Sequence, residues 1–182
     1  MTTEFLRDGL FVTAWFGLMT CVWLGWAQEA PPKRAPALLG IGSVIGIAAA
    51  VGGGLLVWRS WDTPSALDGQ YAWFGVLVAA EVVLAGVACA ILAARGLKRW
   101  FAAGVAVVVA AHFVPLGVML RDPALVVFGV VQLALVVAAV IVARRRGATP
   151  SFAIGVTMGT SLLLAALVSA VRWVPAGLEG AL

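Results

Sequence analysis

Residues 100–146 read "WFAAGVAVVVAAHFVPLGVMLRDPALVVFGVVQLALVVAAVIVARRR". Before the closing arginines, the only charged side chains in this stretch are Arg121 and Asp122. Each flank is an apolar run of the roughly 20 residues that an α-helix needs to cross a bilayer. Two spans therefore stand back to back, 100–120 and 123–143, joined by a turn that allows only reversal. The runs are continuous rather than alternating, so helices are expected and a barrel is not.

Four more runs follow the same pattern: 10–27, 37–58, 71–94 and 152–174. The chain has 182 residues, 63% hydrophobic and 11% charged. Ordinary soluble domains are roughly 25% charged, and a soluble fold of this length could not hide so much apolar surface. The expected fold is all-α: one polytopic membrane domain, 1–182, of six transmembrane helices. The first run starts in mixed charge, "TEFLRD" (3–8), and reads as a retained helix rather than a signal peptide. Cys21 and Cys89 are expected at different depths, which disfavours a disulfide between them.

Charge sets the threading. Lys33, Arg34, Arg95, Lys98, Arg99 and Arg144 to Arg146 follow the first, third and fifth helices. The opposite side carries only Arg7, Arg59, Arg121 and Arg172, together with most of the acids. Short basic loops face the cytoplasm. Both termini are thus expected outside, in a bacterial cytoplasmic membrane suggested by a composition rich in Ala, Gly, Val and Arg. The basic residues are split among short loops, so the net charge of +4 reflects topology and not nucleic-acid binding.

The odd-numbered helices begin alike, "DGLFVTAWFG" (8–17), "DGQYAWFG" (68–75) and "DPALVVFG" (122–129), which suggests three outside-in-outside hairpins. Gly42-x-x-x-Gly46 and Gly155-x-x-x-Gly159 let helix backbones approach closely, within the chain or in a homodimer. Trp58, Trp61, Trp73, Trp100 and Trp173 suit the headgroup layer, whereas Trp15, Trp23 and Trp26 recur along helix one.

At about 1.5 Å per residue, Glu81 lies about 15 Å below the outer surface, His112 about 12 Å and Gln132 about 13–14 Å. Thr20 falls at a similar level and Ser161 somewhat deeper. A lone carboxylate in lipid costs at least a few kcal/mol and seeks a partner, and His112 is the one cation-forming side chain at that depth. Pro115 leaves the Ala111 carbonyl without its helical donor and is the expected hinge. Glu81, His112 and Gln132 thus outline a polar ligand pocket in the outer half of the membrane, with Trp23, Phe113, Phe128 and Thr20 as further lining. Arg59, Asp62, Asp68, Arg121 and Asp122 would form its outer rim. The structural alternative is a buried polar network that only sets helix register.

The sequence has no HExxH motif, no Cys/His cluster and no Walker loop, and its one histidine precludes a multi-histidine site. No metal or cofactor is expected.

"HFVPLGVMLRDPALVVFGVVQ" (112–132) resembles small bacterial multi-pass proteins of uncharacterised function whose fourth helix carries His-Phe-x-Pro. That resemblance implies a six-helix layout and no activity. "LVAAEV" (77–82) resembles the glutamate-bearing first helix of small multidrug-resistance transporters, which have four helices per chain.

Three functions fit these features. One is binding or transport of an apolar or amphipathic small molecule, coupled to protons through Glu81 and His112. Another is a membrane-embedded enzyme acting on a lipid or isoprenoid, such as an acid-initiated terpene cyclase, with Glu81 as general acid and His112 beside it. The third is a non-catalytic subunit of a membrane complex.

Overall fold

The computed structural model describes residues 1–33 and 35–179. It is a bundle of six helices: α1 Leu6–Ala27, α2 Ala35–Arg59, α3 Tyr71–Ala94, α4 Phe101–Met119, α5 Pro123–Arg146 and α6 Pro150–Glu179. A single 3-10 turn, Lys98–Trp100, precedes α4. All six spans are long and apolar enough to cross a membrane. The large apolar side chains on the outside are those of a lipid-facing surface, with Val171 80%, Leu38 71% and Val118 68% exposed. The chain is a multi-pass membrane protein.

Local chemistry explains several helix ends. Asp122 caps α5 by accepting from the amides of Ala124 and Leu125, and Pro123 occupies the first turn, where no amide is needed. Gly147 ends α5 at φ 63°, the left-handed conformation glycine adopts without a Cβ penalty. The turn between α4 and α5 is tight enough to hold Arg121 at φ 50°. Both internal prolines lie within continuous helix. α4 passes through Pro115 and α6 through Pro175, so the sixth helix extends beyond the 152–174 window.

α1 is the most buried of the six helices, and glycines set it against α2 and α6. The Gly17 Cα approaches the Gly46 backbone so closely that an added Cβ would sit 2.6 Å from the Gly46 carbonyl oxygen. On the neighbouring flank, a Cβ on Gly155 would lie 2.6 Å from the Trp23 carbonyl oxygen and 2.7 Å from the Ala27 nitrogen. Both small-residue motifs therefore pack on α1, with α2 and α6 side by side and both meeting Leu24. Ser169 ties the α6 contact by donating to the Gly9 carbonyl at 2.8 Å.

α1 packs on α2, α3 on α4, α4 on α5 and α5 on α6, whereas α2 and α3 do not form an interface, and the most extensive one joins α1 to α6. α4 and α5 pack together and against α6. α3 is peripheral. It rests on α4 and the 3-10 turn, and none of its residues is buried.

Gly155→Val should force α6 away from α1, and overpacking of this kind costs about 1–3 kcal/mol. Gly86, whose Cβ would meet nothing within 4 Å, is the matched control. Thermal unfolding of the purified protein should show a lowered Tm for Gly155→Val and a near-wild-type Tm for Gly86→Ala.

Candidate functional site

α3 and α4 run antiparallel, with Gly104 set against Leu92 and Ala88. That register brings Glu81 opposite His112. The Oε2 of Glu81 lies 3.1 Å from His112 Nδ1, and the side chains are 22% and 9% exposed, respectively. The approach has ion-pair distance but not the alignment of a directed hydrogen bond, and Nδ1 has no other partner. One proton can reside on either group, giving a neutral acid beside a neutral ring or a carboxylate beside an imidazolium. Among the described residues, this is the only contact between ionisable side chains inside the membrane.

The two faces of α4 differ. His112 points to α3. Its neighbour Phe113 points into the bundle, where Phe113, Phe16 and Phe128 pack with ring centroids 5.3 to 5.6 Å apart. The His112 ring meets the edge of Phe113 at 6.2 Å. Pro115 is exposed on the outside of α4, three residues from the histidine.

The remaining polar-layer residues occupy other places. Gln132 is fully buried and turns to α6, its Nε2 2.7 Å from the Met158 sulfur and its Oε1 without a partner. Thr20 and Ser161 donate to carbonyls one turn back in their own helices, at 2.8 and 2.7 Å. Trp23 is buried, stacks on Trp26 at 5.4 Å and belongs to the same buried apolar cluster as Phe16 and Phe113. Trp15 faces outward, stacked on Phe11. The structure thus joins Glu81 to His112, puts Phe113, Phe128 and Trp23 in one apolar cluster, and bonds Gln132 and Thr20 to groups other than Glu81 and His112.

Two cavities open elsewhere. An apolar groove of about 500 Å³ runs between α2 and α6, with Arg59 at one end. A more polar cleft of about 430 Å³ lies at the basic-loop face. Neither is lined by Glu81, His112 or Gln132.

Two of the expected rim residues, Asp68 and Asp122, serve as clasps. Asp68 pairs with Arg7 at 2.8 Å and accepts from the Ser65 amide. Arg7 also donates to the Trp61 carbonyl and to the Tyr71 hydroxyl, and its guanidinium covers the Trp61 ring. Asp8 accepts from the Ser65 hydroxyl at 2.6 Å and the Ala66 amide at 2.8 Å. Asp122 accepts from the amide and hydroxyl of Thr2. Arg7, Asp8 and Thr2 escape a sequence reading that treats the acids as markers of helix starts. The one signal in the chain is the recurrence of Asp at 8, 68 and 122.

The Ser65 amide bond holds the Asp68 carboxyl below its ordinary range; desolvation opposes it as the next largest effect, and Arg7 and Tyr71 add to the lowering. Burial acts to raise Asp122, but the bonds from Thr2 and Leu125 outweigh it and its net shift is also downward.

No family model, curated protein or solved structure matches the chain.

Carboxyls lowered in the folded state stabilise it above their ordinary values near 4, and that stability is lost as pH falls through the lowered folded values. Limited proteolysis of the 59–70 loop should accelerate on acidification through that window. In Asp68→Asn the loop should be cut faster at neutral pH and show a smaller acid dependence.

Proposed function

We propose that this six-helix protein binds an apolar or amphipathic small molecule reached from the bilayer at the α3–α4 seam, and transfers it with a proton exchanged at Glu81 and His112. The observation that carries this reading is the Glu81–His112 contact. It is an ionisable pair held at a helix seam, partly open to the surroundings, on a helix with no buried residue. A structural network would favour a closed position with every polar atom bonded. Here the ring nitrogen lacks a directed bond and the carboxyl remains accessible.

Two features suit movement. α3 is held by few neighbours, so it separates from α4 more readily than α1 could from α6. Pro115 removes one backbone bond from α4 a turn beyond His112, which lowers the cost of bending there. Glu81 also faces away from the Phe16, Phe113 and Phe128 cluster, which favours proton-coupled binding over an acid-initiated reaction on a substrate cradled by those rings. The resemblance of 112–132 to small bacterial six-helix proteins agrees with this layout. By the positive-inside rule, the basic loops face the cytoplasm of a bacterial inner membrane and both termini lie outside.

A second reading has its own support. The uncovered face of α3, with Gly75 and Gly86 open, would suit a partner helix and a role as a complex subunit.

Native mass spectrometry of gently purified wild type beside Glu81→Gln tests the first reading. A small-molecule adduct present in wild type and lost in a folded Glu81→Gln variant is the expected result. An adduct equally retained by the variant would remove Glu81 from the binding role. A stable hetero-complex without any adduct would transfer the assignment to the subunit reading.

A further inference from the structure

The cleft at the basic-loop face has features of a built anion site. Lys98 and Arg99 line it from the 3-10 turn, and Ser151 lines it from the first turn of α6. Ser151 is only 8% exposed, and its hydroxyl, which bonds no described residue, keeps its solvent contact where it lines the cleft. A serine so placed would ordinarily cap its own helix or bond a neighbouring carbonyl. The adjacent Thr149 hydroxyl does bond one, donating to Ala30 at 3.2 Å.

The helix end adds further donors. α6 is 30 residues long and opens with Pro150. Its first helical bond in this region runs from the Ala153 amide to the Thr149 carbonyl at 3.1 Å. The Ser151 and Phe152 amides precede that bond and by position lack an intrahelical acceptor. Amides at the positive end of a long helix dipole are suited to an anion.

Charge points the same way. Neither Lys98 nor Arg99 pairs with a carboxylate among the described residues. Arg99 and Arg144 lie over the Trp100 ring at 5.8 and 5.1 Å, which sets cationic groups at headgroup depth. Glu29, exposed on the rim, is the one carboxylate lining the cleft.

We propose that this cleft binds a phosphate group, with the Ser151 hydroxyl and the first amides of α6 as directed donors and Lys98 and Arg99 as counter-charges. Phosphate has several acceptor oxygens on one compact centre, which matches a hydroxyl, amides and two cations converging from different elements. The group belongs to a phospholipid headgroup or to a free phosphate. This site is distinct from Glu81 and His112 and does not rest on their role.

The test uses the full chain, with phosphatidic acid and phosphatidylcholine of matched acyl chains as probes in native mass spectrometry and inorganic phosphate in calorimetry. Wild type should retain phosphatidic acid over phosphatidylcholine by about tenfold, the scale of a lost charge-assisted hydrogen bond. Ser151→Ala and the Lys98→Gln, Arg99→Gln pair should lose that preference. Ser151→Thr, which keeps the hydroxyl, should retain it and serves as the folded reference. The Arg145→Gln, Arg146→Gln pair, on the same face but outside the cleft lining, should also retain it. An adduct that survives excess inorganic phosphate identifies a lipid headgroup. Calorimetric binding of inorganic phosphate that displaces the lipid identifies a free phosphate. Two results would overturn the proposal: neither probe binding preferentially to wild type, or the Arg145, Arg146 pair abolishing the preference as fully as Ser151→Ala.

Discussion

The close backbone approach of α1 to α2 and α6 is the contact on which the rest of the bundle depends. Lipid gives helices no hydrophobic reason to associate, so close van der Waals packing must hold them. Gly17 against Gly46 and Gly155 against the Trp23 carbonyl bring α1 within backbone contact of both partners. With α1 packed against both, α6 offers its remaining surface to α4 and α5, and the phenylalanine cluster fills the space among α1, α4 and α5. The arrangement leaves α3 on the perimeter.

A perimeter helix in lipid gains little specificity from apolar packing, because acyl chains are as good a neighbour as leucine. The Glu81–His112 contact gives α3 a polar anchor on α4 in the membrane. Such an anchor opposes a desolvation penalty and is therefore more easily disturbed than a glycine seam. The bundle thus sets a glycine-packed α1–α2–α6 core against a polar tether to α3. The tether and the two cavities do not coincide. The groove and the cleft lie along α2 and α6 and at the basic-loop face, where helices diverge, rather than at the α3–α4 contact.

At the face carrying the termini, three acids that look equivalent in sequence perform three tasks. Asp8 is buried within α1 and holds the Ser65 region, Asp68 pairs with Arg7, and Asp122 caps α5 while holding Thr2. The shared Asp-to-Phe-Gly wording thus carries no shared geometry. The Glu81–His112 pairing, by contrast, was legible from depth alone. Both side chains had to find a partner, and helices three and four are adjacent in the chain. Gln132 stands at a comparable depth yet turns to Met158, because depth says nothing about which way a helix is rotated. Ser151 carried no signal at all, since an unbonded hydroxyl is visible only once its neighbours are placed.

By itself the sequence determined the number of spans, their approximate limits, their all-helical character and the division into a basic and an acidic face. Length, apolar runs and charge are properties of the chain, and a bilayer leaves few ways to satisfy them. The glycine motifs also announced close packing, though not their common partner. Only the tertiary structure decided that α1 is the most buried helix, that α3 is peripheral, that Phe113 and His112 face different neighbours, and that a serine and two cations line one cleft at the start of α6. Those outcomes depend on helix rotation and neighbour choice. In lipid these are decided by the small-residue surfaces that fit together, and a pattern of uniformly apolar residues does not encode them.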